Sequence, residues 1–163
     1  MVAIPARNTD EGAETRLLLA ECRGPSFSGY SLSDATTCMQ LMDLVLWNRV
    51  QNNPAQFLAR HATLVGVITA RGQFQGFDRY PNYDSRIVHN IQTMIGIANN
   101  SKDRRAGTFS DFISAAIAVA GTQFTIPDPS QGVLAAWRTS GASSPGSNFT
   151  FVTTVLGTDF YSI

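Results

Sequence analysis

The stretch Glu11–Arg23 constrains this chain more than any other, because read as a helix it has almost no side to turn toward water. Leu17, Leu18, Leu19 and Ala20 are consecutive, and at 3.6 residues per turn they point in nearly every direction. Such a helix belongs inside a domain, with the other elements packed around it. Gly24-Pro25 is its stop, with glycine at the cap and proline just beyond. Glu21 falls in the last turn, where a carboxylate meets the partial negative charge of the helix C-terminus. Burial among leucines disfavours the charged form as well. Both effects raise a carboxyl pKa toward the ~6 that suits a general acid in sugar chemistry. The competing reading is an ion pair with Arg23 or Arg49 that ties two helices together.

At 163 residues the chain has the length of one domain. Residues 1–10 read as a flexible arm and 11–163 as the domain. A second helix is expected from Ser33, as N-cap, to Gln51, with Ala35, Cys38, Met39, Met42, Val45, Leu46 and Val50 on its inner face. Asn52-Asn53-Pro54 would end it. Shorter helices are expected over Ala55–His61 and Thr63–Ala70, then a loop over Phe74–Tyr83. Ser85–Asn99 is the clearest amphipathic helix, and Phe109–Ala120 reads as another buried one. Phe124–Ile126, Phe149–Leu156 and Asp159–Ser162 carry the β-branched and aromatic residues of strands. The fold class is α+β: mostly helical, with a small antiparallel sheet near the C-terminus.

Twelve basic residues balance twelve acidic ones, and that neutrality argues against a nucleic-acid binder and a polybasic membrane anchor. No run of 18 apolar residues suggests a membrane span, and the N-terminus does not read as a signal peptide. Synthesis in the cytoplasm is therefore expected, with export by some route other than a cleaved leader. Two cysteines and two histidines are too few and too scattered for a zinc site; no metal and no cofactor is expected. Cys22 and Cys38, sixteen positions apart on adjacent helices, could form a disulfide or remain two buried thiols.

LLLAECRG (17–24), a short loop, and a helix ending LWNRV (46–50) resemble the cell-wall hydrolase family that degrades spore cortex. VGVITARGQFQGF (65–77) is similar to its Gly-x-Phe element, DPSQG (128–132) to its Asp-Pro-Thr-x-Gly element, and VTTVLGTDFYS (152–162) to its terminal strand pair. Cys22 stands where that family usually has alanine, and Pro25 where an acidic residue often follows the glycine. The resemblance implies a lysozyme-like fold, cleavage of the β-1,4 glycan strand of peptidoglycan, and Glu21 as proton donor. It also implies Gln73 and Phe74 beside the glutamate, a hydroxyl from Tyr161, and hydrogen-bonding groups from Ser130 and Gln131. Tyr30, Phe77, Tyr80 and Trp137 are candidate rings for stacking on sugars, with core placement as the alternative.

Glycosidases generally use a second carboxylate, and Asp78 and Asp128 rank first because both fall in expected cleft loops. Failing that, the muramic acid hydroxyl would attack, as in lytic transglycosylases. Small wall hydrolases of this kind resemble the peptidoglycan glycoside hydrolase effectors of type VI secretion. That implies a monomeric antibacterial toxin acting in a target cell's periplasm, with a cognate immunity protein plugging the cleft. A phage endolysin, and a non-catalytic glycan- or protein-binding domain on the same scaffold, are the alternatives.

Overall fold

The computed structural model describes residues 1–52 and 55–163. The stop expected at Asn52-Asn53-Pro54 falls partly outside the described residues. Helix α1 (Asp10–Glu21) begins at Thr9, whose hydroxyl accepts from the Gly12 N–H at 3.0 Å. Asp10 and Glu11 in its first turn complement the positive end of the helix dipole. A Cβ at Gly12 would collide with the Ala6 carbonyl, so glycine is what lets the preceding chain fold back onto the helix. From Gly12 to Leu19 every residue is buried, as the leucine run requires. The chain leaves the helix at Cys22, in extended conformation, so Glu21 is the last helical residue.

Helix α2 (Leu32–Asn52) starts two residues earlier than the sequence suggests. Ser31, not Ser33, supplies the cap, its hydroxyl accepting from the Asp34 N–H at 3.1 Å. A 3-10 turn, η1 (Ala55–Phe57), replaces the helix expected over Ala55–His61, and α3 (Leu64–Ile68) is shorter than its forecast. Helix α4 (Ser85–Ala98), capped by Asp84, matches the amphipathic segment closely; α5 (Ala106–Ala120) begins three residues before Phe109. Helices α2, α3, α4 and α5 all pack against α1, which makes it the axis of the domain. None of the described helices is long and apolar enough to cross a membrane.

The sheet lies at the C-terminus, as expected: β1 (Leu134–Thr139), β2 (Thr150–Val155) and β3 (Thr158–Ser162) in antiparallel order β1-β3-β2. Leu156 and Gly157, at φ 46° and 71°, make the two-residue turn that joins β2 to β3. The strand expected at Phe124–Ile126 is absent, and Phe124 is in the left-handed region at φ 53°, which no strand tolerates. In its place β1 was not foreseen. Its LAAWRT sequence has little β-branching, and pairing with β3 and packing on α2 hold it extended. Two side chains of α2 pin it. Asn48 Nδ2 donates to the Leu134 carbonyl at 2.9 Å, and Arg49 Nε to the Ala135 carbonyl at 2.8 Å.

One apolar cluster joins α1, α2, α5 and the sheet around Phe112, Ile113, Leu134 and Phe160. A second lies under the segment after α3 and contains Ala13, Leu17, Leu46, Ile68, Phe74, Phe77 and Tyr80. Each fully buried side chain of this size contributes roughly 1.5–3 kcal/mol. Phe77 and Tyr80, considered as sugar-stacking rings, are therefore core residues. The arm over residues 1–10 is pinned rather than free. Asn99 exchanges two hydrogen bonds with the Val2 backbone, at 2.7 and 2.9 Å. Tyr80 donates its hydroxyl to the Arg7 carbonyl at 2.6 Å, and Arg16 Nη1 donates to the Pro5 carbonyl at 2.8 Å.

Two features of the interior carry charge or reactivity. Glu14 on α1 and Asp43 on α2 are neighbours, both wholly buried, and their carboxyls interact directly with each other. Burial first, and then Asp43, push Glu14 up to about 10, so this site holds a proton rather than a second charge. Cys22 and Cys38 are both buried and free, so the disulfide is not formed. The Cys22 thiol donates to the Ala35 carbonyl at 3.6 Å, and Cys38 together with burial pushes its pKa up.

Candidate active site

An open cleft of about 990 Å³ runs across the end of α1. Its lining comes from the α1 terminus, Arg49 of α2, η1, the 72–78 segment, strand β1 and the loop before β2. The volume is at the upper end of small-ligand sites, which leaves room for an extended chain. The helix that buries Leu17, Leu18 and Leu19 delivers Glu21 to this cleft, because the chain turns away at Cys22 one residue later.

Glu21 is half-buried, and its Oε2 accepts a hydrogen bond from the Trp137 indole Nε1 at 3.3 Å. Burial raises its pKa above the ordinary 4.5, while the indole bond acts in the opposite direction and does not cancel the rise. Among the described residues no cation forms an ion pair with it. The alternative in which Glu21 ties helices together through Arg23 or Arg49 therefore has no support in the geometry. Instead, Arg49 donates through Nη1 to Gln73 Oε1 at 3.2 Å, in addition to its bond to β1.

Of the residues expected at the site, Glu21, Gln73, Phe74 and Asp78 meet in the cleft. Phe74 contributes little surface, being 4% exposed, and stacks on Trp137 with ring centroids 5.0 Å apart. That stack fixes the indole whose N–H reaches Glu21. Asp78 is exposed and accepts from the Gly72 N–H at 3.4 Å, a long bond that leaves its carboxylate available.

The remaining expectations fall elsewhere. Tyr161 lies on β3 between Ala136 and Phe151, 6% exposed and outside the cleft lining. Tyr30 packs edge-on against Phe112 at 6.1 Å, away from the lining. Asp128 organises the turn into β1. It accepts from the Ser130 N–H at 2.8 Å, the Ser130 hydroxyl at 2.6 Å, the Leu134 N–H at 2.9 Å and Asn48 Nδ2 at 3.1 Å. Burial works to raise its pKa, but these donors hold it below the usual carboxylate range. Asp128, Ser130 and Gln131 thus build the loop that places β1 and do not line the cleft. Asp78 is the carboxylate other than Glu21 in the described lining.

Sequence reasoning missed the cleft roles of Arg49 and Trp137. The sequence offers Arg49 only as an ion-pair partner for Glu21, and Trp137 only as one of four candidate rings. Only the position of β1 brings the indole to Glu21, and no local spacing announces that strand. Among the described residues no group of three or more histidine, cysteine or acidic side chains is placed to hold a metal ion. Comparison with protein-family models, with curated proteins and with solved structures returned no match.

Proposed function

We propose that this protein cleaves the β-1,4 glycan strand of peptidoglycan, with Glu21 as the proton donor. The observation that carries the reading is a half-buried carboxyl, raised in pKa and free of any cation among the described residues, facing an open cleft. The resemblance of residues 17–162 to wall hydrolases names the polymer; the geometry of Glu21 supports the chemistry.

The protonated Glu21 transfers its proton to the glycosidic oxygen as the bond from that oxygen to the anomeric carbon breaks. Trp137 then steadies the carboxylate left behind, because its N–H bond favours the charged form. Water then adds to the anomeric carbon as a base takes its proton, and Glu21 regains a proton from solvent before the next turnover. Asp78 is the base in this scheme, activating a water, and Gln73 offers its amide to an N-acetyl group. If the sugar's own hydroxyl attacks instead, the product carries an anhydro end and Asp78→Asn has little effect.

Purified sacculi provide the test. Glu21→Gln should abolish turbidity clearing while thermal unfolding stays that of a folded protein. Clearing by this variant at the wild-type rate would defeat the assignment, and a glycan-binding domain would then fit the cleft better.

A further inference from the structure

The cleft holds more positive charge than proton donation requires. Arg49 lines it and is only 5% exposed as a residue. Its Nε and Nη1 donate to Ala135 and Gln73, while Nη2 has no partner among the described residues. No carboxylate there lies within ion-pair distance of it. The Phe57 ring sits under the guanidinium at 3.8 Å and Phe74 lies at 5.2 Å. These rings orient the cation without neutralising it. Burial lowers its pKa to about 9, which still leaves it charged at neutral pH.

Arg23 and Arg138 also line the cleft, and neither is in an ion pair among the described residues. Three guanidiniums therefore face two carboxyls, Glu21 and Asp78, and burial favours the uncharged form of Glu21. A buried cation left without a counter-ion is costly, and an arriving anion would relieve that cost. A planar guanidinium with free N–H groups matches a carboxylate in shape as well as sign.

We infer that Arg49, in a cleft whose wall also carries Arg23 and Arg138, forms an anion subsite for a carboxylate carried by the glycan chain. The inference rests on the glycan-cleaving reading of the same cleft and specifies its substrate: an acidic chain in preference to a neutral one. Two sources supply such a carboxylate next to the sugar ring. One is the lactyl group of muramic acid when it bears no peptide; the other is the peptide stem attached through that group.

The test uses binding to the full chain carrying Glu21→Gln, so that probes are not consumed. Three tetrasaccharides of alternating N-acetylglucosamine and N-acetylmuramic acid are titrated calorimetrically: free lactyl acids, lactyl primary amides, and lactyl groups bearing peptide stems. At least one acidic probe should bind about tenfold tighter than the amide, the value of one charge-assisted hydrogen bond. A preference for the free acid assigns the lactyl group, and a preference confined to the third probe assigns the stem. That preference should fall to within about twofold when Arg23→Gln and Arg138→Gln are combined, since both side chains are exposed and their loss leaves the core intact. Arg49→Lys, which keeps the charge and loses the planar fork, should weaken it too.

Equal binding of all three probes, or a preference undiminished in both arginine variants, overturns the subsite. The two readings fail separately. Wild-type clearing of sacculi with no charge preference removes the subsite and keeps Glu21. An arginine-dependent preference in a protein that cleaves nothing removes catalysis and keeps the subsite.

Discussion

Replacing Glu14 by glutamine removes one titrating proton from the interior without changing the shape of the side chain. Glu14 and Asp43 are both 0% exposed, so solvent does not screen them. Burial, reinforced by Asp43, raises Glu14 from 4.5 to about 10. Between those values the native state holds a proton that the unfolded chain has released, so stability falls as pH rises. The contribution is fully present below about 4.5 and is lost progressively up to about 10. One proton difference gives ~1.4 kcal/mol per pH unit, so from pH 5.5 to 7.5 the wild type should lose ~3 kcal/mol through this site. Glutamine at 14 does not titrate and can donate its amide N–H to Asp43. Urea unfolding at pH 5.5, 6.5 and 7.5 should therefore give the variant a dependence flatter by that amount, at an unchanged m-value. Parallel curves for the two proteins would refute the reasoning, because they would mean that Glu14 ionises in the native state as it does in the unfolded one.

Trp137→Phe keeps the stack on Phe74 and removes the indole donor to Glu21. That donor lowers the Glu21 pKa, so its loss should move the alkaline limb of kcat/KM to higher pH; an unmoved limb would exclude Trp137 from tuning the acid. Asn48→Ala removes donors to the Leu134 carbonyl and to Asp128, leaving a buried carbonyl unpaired. It should destabilise the protein by about 2–4 kcal/mol in chemical denaturation, and a change within ±0.5 kcal/mol would show that Asn48 does not hold β1.

The parts of the fold legible in the sequence are those set by local pattern. The leucines of α1 meet a rule of period that needs no tertiary context, and so do the stripe of α4 and the β-branched run of β2 with β3. Glu21 was legible for the same reason, since a buried helix with an acid at its end states its own problem. What was hidden depends on long-range placement. β1 is a strand because β3 and α2 hold it, whereas Phe124 looks like a strand residue yet sits in a left-handed turn. The DPSQG loop carries hydroxyl, amide and carboxylate groups suited to a sugar, but four donors to Asp128 turn it inward as a support for β1. Tyr161 follows the same rule, because its strand position buries it against Phe151. Arg49 shows the converse: a residue placed for packing also reaches the cleft, which only the joined geometry of α2, η1 and β1 reveals.

The account depends on a sheltered carboxyl that stays protonated above the ordinary range while facing solvent in the cleft. The direct measurement is a ¹³C NMR titration of the Glu21 side-chain carboxyl, assigned by its disappearance in Glu21→Gln. The account predicts a midpoint above 4.5 in the free protein, with a further rise in Trp137→Phe. A midpoint at or below 4.5 would contradict it, since Glu21 would then be an ordinary carboxylate at the pH where it is required to give up a proton.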